Sequence, residues 1–133
     1  MRRAGRAILI ATFFALARAA VAGPLEDADA AYRRGDYATA FALMRPLADQ
    51  GVARAQLVLG FMYANGQGVP QNYAEAVRLY RLAADHGDAA AQFNLGFMYL
   101  RGHGVAQNYA KAARWYRLAA YQGSANALSL IHI

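Results

Sequence analysis

The chain repeats itself with a period of 36 residues. Residues 55–90 and 91–126 are identical at 23 of 36 aligned positions. A period of this length is typical of stacked supersecondary units, each of which packs mainly on its neighbours. The sequence therefore predicts a linear array of small units rather than a closed globule.

A shorter, degenerate copy precedes the two full ones. In that copy Tyr37 aligns with Tyr73 and Gly51 aligns with Gly87, but the internal turn is five residues shorter. The predicted organisation is a signal peptide over 1–22, a degenerate first repeat over 23–54, full repeats over 55–90 and 91–126, and the start of a truncated repeat or a non-native tail over 127–133.

Each repeat is predicted to form two helices, A and B. In helix A, Ala55, Leu59 and Met62 recur at steps of three and four residues, which is the spacing of one helical face. The glycines at 66 and 68 then end helix A in a turn. One helix pair per repeat predicts an all-α fold, an α/α solenoid of antiparallel helix pairs.

Helix B has recognisable ends in the sequence. Asn72 is predicted to cap its N-terminus, and Glu75 three residues later completes a capping-box pattern. Asn108 is the equivalent cap in the next repeat. Gly87 is predicted to stop helix B, and Gly123 is predicted to stop the equivalent helix one repeat later.

Two glycines inside helix A predict close helix packing. Gly60 and Gly96 lie in mid-helix, where glycine costs about 1 kcal/mol relative to alanine. We expect close approach of a neighbouring helix to offset this cost, with the alanine pairs 83–84 and 119–120 as the facing surface. The larger side chains expected to complete the core are Tyr80, Trp115 and Tyr116 between the helices, and Met62 and Met98 at the repeat spacing.

The N-terminal segment is typical of a secretory signal peptide. Residues 1–6 carry three arginines, residues 7–17 form an apolar run, and residues 20–22 have the small-x-small pattern that precedes cleavage. The run is too short to span a bilayer, which needs about 20 residues. We predict cleavage after residue 22, so that the mature chain begins at Gly23 and is periplasmic or secreted. The alternative is a buried N-terminal helix.

Composition and charge exclude several classes of protein. With 58 % apolar and 17 % charged residues, the chain is not a disordered polypeptide. Four of its fourteen basic residues lie in the first 22 positions, and the remaining chain carries ten basic and eight acidic side chains. This small excess of positive charge does not form the basic surface that binding to a phosphate backbone requires, so no nucleic-acid partner is predicted. Because the chain has no cysteine, disulfides and thiolate chemistry are excluded.

No catalytic, cofactor or metal site is predicted. The four serines and threonines of the chain lie in no nucleophile motif. His86 and His103 each stand alone near a turn, where a solvated side chain is commoner than a metal ligand. The Gly-x-Gly sequences at 66–68 and 102–104 lack the preceding strand and the third glycine of a phosphate-binding loop, which favours simple turns.

The two full repeats share the pattern A-Q-x-x-L-G-x-M-Y-x-x-G-x-G-V-x-x-N-Y-x-x-A-x-x-x-Y-x-x-A-A-x-x-G. This pattern resembles the Sel-one-like repeat, a relative of the tetratricopeptide repeat. Residues 30–51 resemble the first repeat common in bacterial members. The resemblance implies a tetratricopeptide-like superhelix that binds other proteins, often as a scaffold at the cell envelope. Asparagine stands at 72 and 108 where the family often has aspartate, a neutral change of cap, and the disulfides that staple some exported members are missing.

The resemblance also implies that the A helices line the concave face, which suggests a partner-binding strip beside their core stripe. The candidate residues are Val58, Phe61 and Asn65 in one repeat, and Asn94, Phe97 and Arg101 in the next. Phe61 and Phe97 are candidate apolar anchors, whereas Asn94 and Arg101 could hold a peptide backbone or carboxylate. The alternative is that both phenylalanines belong to the core between repeats.

The C-terminal residues depart from the repeat pattern. A third copy starts at Ala127, in phase with Ala55 and Ala91, but residues 128–133 do not continue it and are nearly all apolar. A solenoid needs a polar terminal cap. We therefore expect residues 128–133 to be non-native and the chain to be a fragment truncated inside this repeat. The alternative is a short natural tail.

The sequence predicts an exported, non-enzymatic module that mediates protein–protein interaction at the bacterial cell envelope. It would bind a protein or peptide on the concave face and have no membrane span after signal cleavage. A second hypothesis is an exported hydrolase of cell-wall or β-lactam substrates, against which the missing serine or cysteine nucleophile argues. A third is a structural piece of an envelope complex that is stable only in its assembly.

Overall fold

The computed structural model describes residues 23–131, with side chains described as far as residue 123. In chain order the helices are α1 (Pro24–Arg33), α2 (Tyr37–Asp49), α3 (Ala53–Asn65), α4 (Tyr73–Asp85), α5 (Ala89–Arg101) and α6 (Tyr109–Ile131). No β-strand occurs over this range, and the predicted all-α fold is confirmed. The predicted signal peptide, residues 1–22, lies outside the described residues, as do residues 132–133 and the side chains of the predicted non-native tail.

The helices form a linear array of three pairs. The extensive contacts join each helix to the next one along the chain, first within a pair (α1 with α2, α3 with α4, α5 with α6) and then between pairs. This nearest-neighbour packing is what a solenoid requires. Among residues 23–131, no helix has both the length and the apolar character needed to cross a membrane.

The core runs along the array between the A and B helices. Met62 and Met98 are 0 % and 3 % exposed, which confirms their predicted place in the core. The largest fully buried side chains are Met44, Leu59, Met62, Leu79 and Leu95. Burying an aliphatic side chain of this size contributes about 1.5–3 kcal/mol, so packing rather than covalent cross-linking stabilises this cysteine-free chain.

The predicted N-caps form, but the capping box does not. Asn72 Oδ1 accepts a hydrogen bond from the backbone N–H of Glu75 at 3.1 Å, and Asn108 caps α6 in the same way. The Glu75 carboxylate pairs instead with the guanidinium of Arg78. The backbone N–H of Asn72, which a capping box would use, already donates to the carbonyl of Tyr63 at 2.9 Å.

Close packing at the mid-helix glycines is confirmed, but the predicted facing surface is wrong. A Cβ at Gly60 would lie 2.9 Å from the ring of Tyr80, and one at Gly96 would lie 3.1 Å from the ring of Tyr116. The tyrosine rings therefore occupy the room left by the missing Cβ atoms. The alanine pair 83–84 packs instead in the core that also contains residues of α5.

One predicted helix end is confirmed and the other is wrong. Gly87 follows α4 with a φ of +87°, as a helix-ending glycine should, but α6 continues through Gly123. After the first turn, the Gln92 side chain donates to the carbonyl of Ala84 at 3.2 Å and ties the chain back onto the end of α4. The position 36 residues after Gln92 is Leu128, whose side chain has no hydrogen-bond donor, so the equivalent contact cannot form after Gly123.

Candidate partner-binding groove

A groove opens between the A helices α3 and α5, with α4 behind them. It can form because α4 packs against both helices and holds them apart. Tyr80 of α4, only 2 % exposed, lies at the floor of the groove. Burial raises the pKa of the Tyr80 hydroxyl, and hydrogen bonding with the Asn94 side chain opposes that rise. The floor therefore presents a neutral phenol at physiological pH.

Repeated polar contacts between the repeats fix the position of each A helix on the preceding B helix. The guanidinium of Arg81 donates to the hydroxyl of Tyr99, and the Gln92 side chain donates to the Ala84 carbonyl. The same two contacts occur one repeat earlier, from Arg45 to Tyr63 and from Gln56 to Ala48, each at 3.2 Å. Since both pairs recur at the 36-residue spacing, they set the register with which successive repeats stack.

The groove contains two connected hollows. The first, of about 320 Å³, is lined by Phe61, Ala64, Asn65, Tyr73, Tyr80, Phe93, Asn94, Phe97, Met98 and His103. The second, of about 220 Å³, shares Phe61 and Asn94 with it and extends toward α1. Aromatic and apolar side chains with a few amide groups and no carboxylate line the first hollow, a composition suited to an apolar ligand segment.

The structure brings five of the six predicted partner-binding residues to this groove and places Arg101 beside it. Those that line the first hollow are Phe61, Asn65, Asn94 and Phe97. Val58 lines the second hollow, although it is only 7 % exposed and mostly contributes to the core. Arg101 lies beside them, with its guanidinium carbon 5.5 Å from the centroid of the Phe97 ring.

The two predicted anchors are partly exposed. Phe61 is 43 % exposed and Phe97 is 39 % exposed, whereas Leu59 and Leu95, two residues earlier on the same helices, are 1 % and 0 % exposed. The alternative assignment, in which both phenylalanines belong to the core between repeats, does not fit these exposures. Each full repeat thus presents a phenylalanine at the equivalent position of its A helix.

One end of the groove carries an aromatic stack that the sequence does not predict. The ring of His103 stacks on Tyr73 with centroids 4.4 Å apart and meets Phe97 edge-on at 6.4 Å. The sequence suggested a solvated His103, but its side chain is half-buried in this stack. The turn that carries it comes close because Gly104 has no Cβ: one placed there would lie 2.4 Å from the Tyr73 carbonyl oxygen.

No grouping of three or more histidine, aspartate or glutamate side chains within residues 23–131 could hold a metal ion.

Helix pairs stacked in a fixed register, with an aromatic groove across the A helices, define an α/α repeat solenoid. The Sel1 repeat model matches residues 28–52, 53–88 and 89–124, and the chain belongs to the Sel1 repeat family. Sel1 repeats are generally protein–protein interaction modules and non-catalytic scaffolds.

Two solved structures are similar to this chain. A Sel1 repeat protein from Oxalobacter formigenes is 36 % identical with a TM-score of 0.71, and the match covers 74 % of this chain and 40 % of that one. The second is c5321, described as a protective antigen present in uropathogenic Escherichia coli strains and displaying an SLR fold. It is 45 % identical with a TM-score of 0.71, over 75 % of this chain and 22 % of that one. The matched part of this chain therefore covers less than half the length of either protein. No curated protein matches it.

Proposed function

We propose that this chain is a non-catalytic scaffold module of the bacterial cell envelope that binds an apolar segment of a partner protein in the groove between α3 and α5. The observation that carries the proposal is the pair of equivalent phenylalanines, Phe61 and Phe97, each about two-fifths exposed on that groove. Aromatic side chains, phenylalanine among them, are enriched in the cores of protein–protein interfaces relative to the rest of the surface. We further propose that this face is the concave face of the solenoid.

The groove offers a partner both apolar burial and polar positioning. Covering the exposed part of each phenylalanine ring is worth roughly 1 kcal/mol, since full burial of such a side chain contributes about 1.5–3 kcal/mol. Asn65 and Asn94 supply amide groups at the groove wall. The Asn65 amide nitrogen donates to the Phe61 carbonyl at 2.9 Å, which leaves its oxygen to accept from a backbone N–H of an extended peptide. Arg101, beside Phe97, supplies the charge for a carboxylate on the partner.

The envelope location rests on the first 22 residues. Their arginines, apolar run and small-x-small end are the features of a secretory signal. Export would deliver the chain to a compartment where disulfides form, but a chain without cysteine gains nothing from them. Binding in this compartment would therefore depend on the packed helices and the groove alone.

A peptide-display selection against the full chain tests the groove. The affinity of selected peptides is then compared between the wild type and the double variant Phe61→Ala/Phe97→Ala. A matched control is Leu82→Ala/Leu118→Ala, which removes two equivalent B-helix side chains that are 37 % and 42 % exposed. Circular dichroism verifies that both variants keep their helicity.

We expect the phenylalanine variant to weaken binding at least tenfold, because two anchors each worth roughly 1 kcal/mol or more are lost together. The leucine variant should bind like the wild type. The opposite result would be peptides that bind the phenylalanine variant as tightly as the wild type but bind the leucine variant more weakly. It would place the binding site on the B helices and refute the groove as the interaction surface.

A further inference from the structure

Charge is distributed unevenly along the chain. All eight acidic side chains lie within residues 26–88. Residues 89–133 contain no acidic residue, and their lysine and arginine residues are Arg101, Lys111, Arg114 and Arg117. The last helix pair, α5 with α6, therefore has no carboxylate side chain of its own with which these cations can pair.

The side of the array where α4 follows α2 carries a balanced cluster of charges. Arg45 pairs with Asp49 at 3.6 Å and donates to the hydroxyl of Tyr63. The guanidinium of Arg78 donates to both carboxylate oxygens of Glu75 at 3.1 Å. The hydrogen bond from Arg78 lowers the pKa of Glu75, and the charges of Arg78 and Arg45 lower it further. Two cations and two carboxylates thus neutralise one another in this first cluster.

The equivalent cluster one repeat later has an excess of positive charge. It consists of the residues 36 positions further on, which are Arg81, Asp85, Tyr99, Lys111 and Arg114. Lys111 takes the position of Glu75, so this second cluster contains three cations and one carboxylate. The exchange leaves an excess of two positive charges where the first cluster has none.

Contacts in the structure hold the cations of the second cluster near one another. The guanidinium of Arg81 donates to the hydroxyl of Tyr99, and the Lys111 ammonium lies 5.4 Å from the centroid of the same ring. Arg114 follows Lys111 by three residues on α6, which places both side chains on one side of the helix. Within residues 23–123, none of the three cations forms an ion pair with a carboxylate.

This arrangement is electrostatically unfavourable for the chain by itself. Lys111 lies in the first turn of α6, where the positive end of the helix favours an acid such as Glu75 in α4. Lys111 and Arg114 also repel each other at this spacing. The place is open to solvent, since half of the side chain of Arg78, the equivalent of Arg114, stays exposed although α5 and α6 follow it. Binding of an anion from outside the chain would relieve the repulsion.

We propose that Arg81, Lys111 and Arg114 bind two carboxylates of an acidic segment of a partner protein. The first cluster indicates the chemistry, because carboxylates neutralise the equivalent cations there, and the excess of two charges sets the number. Arg114 would hold one carboxylate in the forked geometry that Arg78 uses on Glu75. None of the three cations lines either hollow of the groove, so this surface is independent of the function proposed for the groove.

An NMR titration of the isotopically labelled full chain with hexaglutamate tests the proposal, with hexaglutamine as the uncharged control peptide. The variant Lys111→Glu gives the second cluster the acid that the first cluster has. Its matched control is Arg34→Glu, which makes the same change of charge at an exposed arginine after α1. The variant Glu75→Lys makes the opposite exchange in the first cluster. Circular dichroism verifies that all variants keep their helicity.

We expect hexaglutamate, but not hexaglutamine, to shift the amides at the start of α6 in a saturable way. Lys111→Glu should weaken this binding about 5- to 25-fold, the loss of one or two exposed ion pairs of up to about 1 kcal/mol each. Arg34→Glu should leave the affinity nearly unchanged. Glu75→Lys should add a second set of shifted amides at the start of α4.

The proposal would be overturned if hexaglutamate caused no saturable shifts at the start of α6, or if it bound the wild type and Lys111→Glu equally well. Inorganic phosphate in the same titration, and co-sedimentation with phosphatidylglycerol vesicles, test the other oxyanion ligands. If either bound more tightly than hexaglutamate and lost its affinity in Lys111→Glu, the site would belong to a phosphate group, and the assignment to a protein segment would be wrong.

Discussion

The contact between the turn at Gly104 and the start of α4 gives a sharp test of how the repeats stack. A Cβ at this position would lie 2.4 Å from the carbonyl oxygen of Tyr73 and 2.8 Å from the backbone nitrogen of Ala74. These are backbone atoms at a helix start, so the added methyl cannot be accommodated by a side-chain rotation. The φ of +73° adds a conformational cost for any residue other than glycine.

The change Gly104→Ala should therefore lower the free energy of unfolding by two additive effects. The left-handed backbone costs a non-glycine residue about 1–2 kcal/mol. Forcing a methyl against packed atoms costs about 1–3 kcal/mol more. Gly35→Ala is the matched control: its φ is +79°, but nothing lies within 4 Å of the added Cβ, so only the first cost applies.

Urea unfolding followed by far-ultraviolet circular dichroism measures both variants. We expect Gly104→Ala to be less stable than Gly35→Ala by about 1–3 kcal/mol, the share that comes from the contact between repeats. Equal losses in the two variants would mean that the turn does not press against α4, and the stacking described here would be refuted.

Three further predictions concern packing, pH and processing. Gly60→Ala should lower the melting temperature, because the added Cβ would lie 2.9 Å from the buried ring of Tyr80, and overpacking of about 1–3 kcal/mol exceeds the gain in helix propensity of about 1 kcal/mol. The hydrogen bond from Arg78 lowers the pKa of Glu75 below its ordinary 4.5. The stability that the ionised Glu75 carboxylate contributes is thus present above pH 4.5 and is lost as the pH falls through the lowered pKa. In urea unfolding, the free energy of unfolding of the wild type should therefore exceed that of Glu75→Gln at neutral pH, and the difference should vanish in acid. N-terminal sequencing of the chain recovered from the periplasm should begin at Gly23, and an intact N-terminus would disprove cleavage after residue 22.

The helix pairs could be predicted because each depends on local patterns. The apolar spacing in α3, the glycine turn after it and the Asn72 cap are all encoded within one repeat, and the 36-residue period then multiplies them. The stacking contacts could not be predicted in this way. The hydrogen bond between Arg81 and Tyr99 joins residues 18 positions apart in different helices, and no local sequence pattern indicates that these two residues pair.

The groove was predictable to the same extent. Helical spacing predicts that Phe61 shares a face of α3 with Val58 and Asn65, and the 36-residue period predicts the same place for Phe97 on α5. The stack of His103 on Tyr73 was missed because it depends on how closely the turn of one repeat approaches the helix of the previous one. The extension of α6 through Gly123 was also not predicted, since a glycine permits a helix to end without requiring it to end.

A chemical-shift map of the isotopically labelled chain, titrated with a display-selected peptide, locates the binding surface residue by residue. We expect the perturbed amides to cluster on the groove-facing residues of α3 and α5 and on the turn at 102–104, with Phe61, Asn94 and Phe97 among them. Perturbations concentrated around Leu82 and Leu118 on the B helices, with the groove unaffected, would refute binding in the groove.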